Sequence, residues 1–149
     1  MKNFRNNKGM TMTELLIAVL ILVPLFTGVL YTFIKCTQLN ELSRHSSMVL
    51  WACKNKLADI ESTAFNQIYA THNNTTFIAN GIDGIGKTYI NNTNPQSLVI
   101  TVAFSWEEAN GKKIGEDLDY DGQIDGGEDV NGNGMLDSMV QLSTVIDQF

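Results

Sequence analysis

Between Leu15 and Ile34 the chain reads LLIAVLILVPLFTGVLYTFI, twenty residues without a charge. An α-helix needs that length to cross about 30 Å of hydrocarbon. Of the chain's 149 residues, little more than about a hundred then remain for a soluble fold, enough for one small core. Lys2, Arg5 and Lys8 precede the run, and positive charge on that side predicts a cytoplasmic N-terminus and an exported C-terminus. A secretory signal would be cut after its apolar region at an A-x-A-like site. The residues after Ile34, KCTQLNELS, offer none, so the run reads as a single-pass anchor. Pro24 and Gly28 lie inside it; proline removes a backbone hydrogen bond, and a local bend is expected there.

Glu14 stands at the polar border of this segment. A carboxylate at the centre of a membrane helix costs about 2.5–3.5 kcal/mol on insertion scales, and less near the edge. Leu15 to Ile34 supply no partner for it. An α-amino group freed by cleavage after Gly9 is a candidate, on Met10 of the same chain or of a neighbour. At roughly 4 Å and an effective dielectric near 20, the attraction is about 4 kcal/mol before desolvation is subtracted.

Lys8-Gly9 followed by MTMTELLIAVLIL resembles the class III signal of type IV pilins and pseudopilins. The resemblance implies a leader over residues 1–9, removed after Gly9 by a prepilin peptidase. It implies methylation of the new N-terminal residue, Met10, and an assembly role for Glu14 as fifth mature residue. Met10 departs from the family's usual Phe at that place. Residues 10–35 would form the transmembrane and filament-core helix, and 36–149 the globular domain. Other pilin or pseudopilin subunits and an inner-membrane assembly platform would be the partners. The chain would sit in the inner membrane with its C-terminal domain exported, and then in a surface or periplasmic filament. A helix that extends or melts at Pro24 on leaving the bilayer is also suggested by the family.

Beyond the anchor, Leu39, Leu42, Ser46, Val49, Cys53, Leu57 and Ile60 recur at steps of three and four, marking one face of an amphipathic helix. The helix is expected to end near residue 66. Cys36 and Cys53 on one helix would be about 25 Å apart, too far for a disulfide. His45 reads as solvent-facing and His72 as isolated, with Met48 and Trp51 off the main stripe. The Asn-, Gly- and Thr-rich stretch after Tyr69 reads as loops with one or two short strands. Its GIDGIG (Gly81 to Gly86) lacks the Lys-Ser/Thr ending of a phosphate loop and reads as a hairpin turn. Asn73, Asn74 and Asn91 stand in Asn-x-Thr frames.

SLVITVAFSW alternates, with Leu98, Ile100, Val102, Phe104 and Trp106 on one face. MVQLSTVI does the same with Val140, Leu142, Thr144 and Ile146. Both are predicted to be neighbouring antiparallel strands whose apolar faces pack on the helical stripe. The expected fold class is therefore α+β. A long N-terminal helix lies on a small antiparallel sheet (strands over about 76–106 and 139–147), with an insertion at 107–138 between the last two strands. The two runs also resemble the closing strands of V-type minor pilins and I-type minor pseudopilins of type II secretion, through Val102 to Trp106 and Leu142 to Thr144.

The insertion is acidic, with ten carboxylates between Glu107 and Asp137 against Lys112 and Lys113. Asp117, Asp119, Asp121, Gly122, Asp125 and Glu128 fit a D-x-D-x-D-G-x-x-D-x-x-E calcium loop. Alternate side chains would converge on one cation, Gly122 would allow the sharp turn, Gln123 would offer its carbonyl, and Ile124 would point into the core. A second copy follows at Asp129, Asn131, Asn133, Gly134, Met135 and Asp137. It has Leu136 in the Ile124 place and Val140 where a closing carboxylate belongs. Ca²⁺, one ion or two, is the expected cofactor, with structural clamping of the insertion the favoured role. The tandem copies resemble thrombospondin type 3 or dockerin-like calcium repeats.

So acidic an exported part argues against phosphate-backbone binding, and no nucleic-acid partner is expected. No Ser/His/Asp or Cys/His arrangement suggests an enzyme. Two function classes stay open: a minor pilin or pseudopilin, and a membrane-anchored calcium-dependent adhesin that does not polymerise.

Overall fold

The computed structural model describes residues 11–148; the expected leader, with Gly9, and Met10 lie outside the described residues. Helix α1 runs from Met12 to Glu61 without interruption, including at Pro24. It starts where the sequence offers a cap. Thr11 precedes the first helical residue, its carbonyl accepts the N–H groups of Glu14 and Leu15, and its Oγ1 accepts Glu14 N at 3.4 Å. Thr-x-x-Glu is the capping-box pattern, which satisfies N–H groups that the first turn would leave unpaired. Within the apolar run, the Thr27 and Thr32 hydroxyls donate to the carbonyls of Val23 and Gly28, so neither hydroxyl is left without a partner on this apolar surface.

The chain divides into two units between Glu41 and Leu42. In the first unit no residue of the apolar run is buried, and the helix is long and apolar enough to cross a membrane. The second unit holds the core. Val49, Cys53 and Ile60 of α1 are buried, with Leu42 and Leu57 packed beside them. Leu39, expected on the same stripe, belongs to the first unit and is exposed. Both cysteines are free, Cys36 exposed and Cys53 buried; burial pushes the Cys53 thiol up to about 12, so it behaves as a small hydrophobe.

The helix stops at Glu61 rather than near residue 66. Ser62 Oγ and Thr63 Oγ1 both donate to the Asp59 carbonyl, offering the backbone a local alternative to another turn. A short helix, α2, follows at Phe65–His72. His72 is not isolated: it is buried, with Nε2 2.9 Å from Thr63 Oγ1 and Nδ1 3.4 Å from Lys56 Nζ. It ties α2 to the end of α1.

Five antiparallel strands form one sheet: β1 (Thr76–Phe77), β2 (Gly84–Asn94), β3 (Ser97–Glu107), β4 (Lys113–Ile114) and β5 (Gln141–Asp147). Central β3 pairs with β2 along one edge and with β4 and β5 along the other. The α+β class and the β3–β5 pairing agree with the sequence pattern. The Asn- and Thr-rich stretch differs from it, because it supplies an eleven-residue strand, β2. GIDGIG is half turn and half strand, since β2 begins at Gly84. A side chain at Gly86 would strike Phe77 and Phe104, whose rings pack with centroids 5.7 Å apart. Glycine is required there by packing.

Side chains alternate across a sheet, and the two faces here have different covers. Ile90, Leu98, Ile100, Val102, Phe104 and Trp106 form one face and pack with Val49, Cys53 and Ile60. Each fully buried aliphatic contributes about 1.5–3 kcal/mol relative to exposure. At the end of this face, Glu108 is 6 % exposed. Its Oε1 accepts Trp106 Nε1 at 2.7 Å, and its Oε2 lies 2.9 Å from His45 Nδ1. His45 is therefore not solvent-facing: it fastens α1 to the root of the insertion.

Glu108→Ala strands the buried indole N–H and releases His45. The expected loss is about 1–3 kcal/mol, read as a lower urea midpoint for the full-length chain in detergent. Glu108→Gln keeps an acceptor for the indole and should lose less. Equal midpoints for all three chains would show that the network contributes nothing.

Candidate metal centre

The insertion begins at the tight β3–β4 turn, where Gly111 N and Glu108 O close the backbone. It then folds back over the second face of the sheet. Lys87 and Tyr89 project from β2 on that face, one residue out of phase with buried Thr88 and Ile90. The Lys87 ammonium donates to the Gly122 carbonyl, and the Tyr89 hydroxyl accepts Leu136 N at 2.8 Å. Ala103 and Ser105 of β3 are buried on this side. The second unit thus has three layers: helix, sheet and insertion.

Within the insertion four expected ligands of the first repeat, Asp117, Asp119, Asp121 and Glu128, accept backbone N–H groups. Asp117, 2 % exposed, accepts Tyr120 N at 2.7 Å on Oδ1 and Gly122 N at 2.9 Å on Oδ2. Glu128, 4 % exposed, accepts Leu118 N on Oε1 and Asp125 N on Oε2. Asp119 and Asp121 accept the N–H groups two residues on, Asp121 N and Gln123 N. Spacing by two therefore produces the curl. Two left-handed residues complete it, Tyr120 at φ 62 and Gly122 at φ 74, the second of which favours glycine.

The carboxylates converge. Asp117, Asp119 and Glu128 bring oxygens within 4.8 Å of one another, as do Asp119, Asp121 and Asp125. Asp119 belongs to both groups. Like charges at that spacing repel by roughly 3 kcal/mol per pair at an effective dielectric near 20, before solvent screening. Lys113 and Lys87 direct their ammonium groups to the carbonyls of Leu118 and Gly122, and among the described residues neither forms an ion pair with these carboxylates. Burial pushes the Asp117 carboxyl above its ordinary value; the two N–H bonds oppose this, and neighbouring Glu128 and Asp119 reinforce it. A cation among these oxygens would remove both the repulsion and the desolvation penalty. The residues fit a metal ion: the donors are all oxygen and carboxylate-rich, and Asp117, Asp119, Asp121 and Glu128 are oriented by backbone N–H groups.

The remaining expected ligands divide. Gln123 is exposed, and its amide nitrogen donates to Asp121 Oδ2. In the second repeat Asp129 reproduces the Asp117 pattern, accepting Asn133 N and Gly134 N on its two oxygens. Met135 N donates to Asn133 Oδ1. Asn131 and Asn133, however, direct their amide nitrogens to Asp137 Oδ2 at 2.6 and 2.9 Å, so this repeat is closed by amide–carboxylate bonds. Its twelfth position, Val140, lies just before β5: its carbonyl accepts Phe104 N, and its side chain packs against the core.

Ile124 corrects the sequence reading, being 41 % exposed where Leu136 is 2 %. The second repeat, pinned by Tyr89, seats its apolar residue against the fold, while the first is pinned through its backbone and leaves Ile124 outside. Burial pushes the Tyr89 hydroxyl above its ordinary value, and Asp117, Asp137 and Asp129 add to the rise. Alternation places Lys87 and Tyr89 on one face, but nothing in the sequence says what would cover that face.

Comparison with protein-family models, curated proteins and solved structures finds no match to this chain.

Proposed function

We propose that the chain is a filament subunit of the minor pilin or pseudopilin kind, cut after Gly9 and anchored in the inner membrane before assembly. The observation that carries this reading is the continuity of α1. One helix joins an exposed twenty-residue apolar run, with Glu14 in its first turn, to a stripe packed on a small antiparallel sheet. A plain anchor has no need of the carboxylate, and a soluble core helix would not leave the run uncovered. The chain acts by assembling, through helix packing and the pairing of Glu14 with a freed amine, and not by catalysis.

Ca²⁺ is the cation proposed for the insertion. Asp117, Asp119, Asp121, Asp125 and Glu128 provide the carboxylates, with carbonyl oxygen at Gln123. Ca²⁺ takes six to eight hard oxygen ligands in irregular arrangements, whereas Mg²⁺ demands a near-ideal octahedron. In an exported domain even a weak site of about 10⁻⁴–10⁻³ M would fill. The cation would hold the third layer against the sheet.

The intact mass of the chain, taken separately from membranes and from sheared surface filaments, tests the assembly reading. The expected mass lacks residues 1–9 and carries one added methyl group. Found in filaments, it supports a pilin; found only in membranes, a periplasmic pseudopilin. An uncut chain in both fractions would overturn the reading and leave the anchored calcium-dependent adhesin.

A further inference from the structure

The second unit carries two complementary surfaces that cannot meet within one copy. On α1, Trp51 is two residues from both Val49 and Cys53, so it points about 200° away from the core, and it is 67 % exposed. Arg44 lies seven residues earlier, within about 20° of it round the helix. Lys54 Nζ sits 5.7 Å from the Trp51 ring centroid. Arg44 and Lys54 are exposed, and among the described residues neither pairs with a carboxylate. This outer stripe is aromatic and basic. The insertion has the opposite character. It is acidic, and Val130, Leu118 and Ile124 are 79, 42 and 41 % exposed. One bound divalent cation would cancel two of its charges and leave the surplus negative.

The stripe lies on the helix layer and the insertion on the far side of the sheet, so contact between them requires a second copy. A contact between two different patches is heterologous and, unless it closes into a ring, builds an open array. Resting on the filament reading above, the geometry points to the docking of one copy's insertion on the Arg44–Trp51–Lys54 stripe of the next copy. Trp51 is the anchor, covered by the exposed aliphatics. The two cations sit in the rim, where opposite potentials set register and speed encounter. Successive copies can then adjoin, and a subunit made in small amounts forms short runs rather than occurring singly.

The test uses cells that make two forms of the full-length chain together, one with a photo-crosslinking aromatic amino acid at position 51 and one with an epitope tag. The expected product is a cross-link that joins the two forms, from position 51 of one to a peptide within 116–139 of the other. Arg44→Glu with Lys54→Glu should lower its yield by at least about tenfold, since juxtaposed like charges cost several kcal/mol. Cross-links from position 51 to its counterpart, or to any other segment, overturn the docking. If the chain is found in filaments without the 116–139 cross-link, the docking fails and the filament reading stands. If the cross-link forms but the chain is absent from filaments, the docking stands and the filament reading fails. Absence of both overturns both.

Discussion

Addition of Ca²⁺ to the metal-free, full-length chain in detergent is expected to raise its melting temperature by about 10–20 °C. At about 10 mM Ca²⁺, a hundred times a dissociation constant near 10⁻⁴ M, mass action stabilises the folded state by about 2.7 kcal/mol. A domain of about a hundred residues shifts by roughly 4–8 °C per kcal/mol. The informative variant is Asp119→Asn. Asp119 belongs to both carboxylate groups and is exposed. An asparagine oxygen can still accept Asp121 N, and its lost charge relieves repulsion in both groups, so the metal-free melting temperature should hold or rise while most of the Ca²⁺ increment disappears. Equal amounts of Mg²⁺ should give a much smaller shift. A melting temperature that is the same in Ca²⁺ and in chelator would sink the metal reading.

The pH dependence of that increment follows from Asp117. Its carboxyl is raised in the fold, so without metal the folded chain binds its proton more readily than the unfolded chain does. Metal-free stability therefore falls as pH rises from the ordinary carboxylate range through the raised value. A bound cation reverses the preference by favouring the ionised form. The Ca²⁺ increment should be complete at neutral pH and shrink on acidification, beginning above the pH at which an ordinary aspartate takes up its proton. Titrating the melting temperature with and without Ca²⁺ reads both slopes, and an increment constant down to the ordinary carboxylate range would remove Asp117 from the site.

What the sequence disclosed was whatever local periodicity encodes. The twenty-residue run, the three-and-four spacing from Leu42 to Ile60 and the alternation of β3 and β5 each describe one element meeting one environment, and each element formed where its pattern lay. The D-x-D-x-D-G spacing likewise describes a curl made by near neighbours, and Asp117 and Glu128 close it within their own repeat. What stayed hidden depends on residues distant in the chain. His45 meets Glu108 across 63 positions, and Leu136 N reaches the Tyr89 hydroxyl across 47. Ile124 and Leu136 occupy equivalent places in two copies of one pattern. Only the tether between Tyr89 and the second copy decides which of them is buried, and a repeat pattern carries no information about tethers. The helix end is a smaller case, since Ser62 and Thr63 fit a further turn or a stop, and their bonds to the Asp59 carbonyl select the stop.

Replacing Glu14 separates two roles that its position otherwise confounds. In α1 it fills the third helical place after Thr11, and Glu14 N donates to Thr11 Oγ1; an ordinary capping box accounts for a glutamate there, at about 0.5–2 kcal/mol for the whole cap. The assembly role asks instead for its charge, paired with a freed amine for up to about 4 kcal/mol before desolvation. Glu14→Gln distinguishes them, because glutamine serves a capping box as well as glutamate does but cannot pair with an ammonium as an anion. The expected outcome is normal membrane insertion for both Glu14→Gln and Glu14→Leu, with incorporation into filaments reduced at least about tenfold in each, the factor that a loss of 1.4 kcal/mol produces. Quantifying the variant chain in membranes and in sheared filaments against the unmodified chain reads the ratio directly. Were Glu14→Gln to assemble normally while Glu14→Leu failed, the carboxylate would be a helix cap and the amine pairing would have to be given up. The charge earns its place in the membrane only if both substitutions fail together, since a capping residue has no use for a charge that costs free energy at the edge of a bilayer.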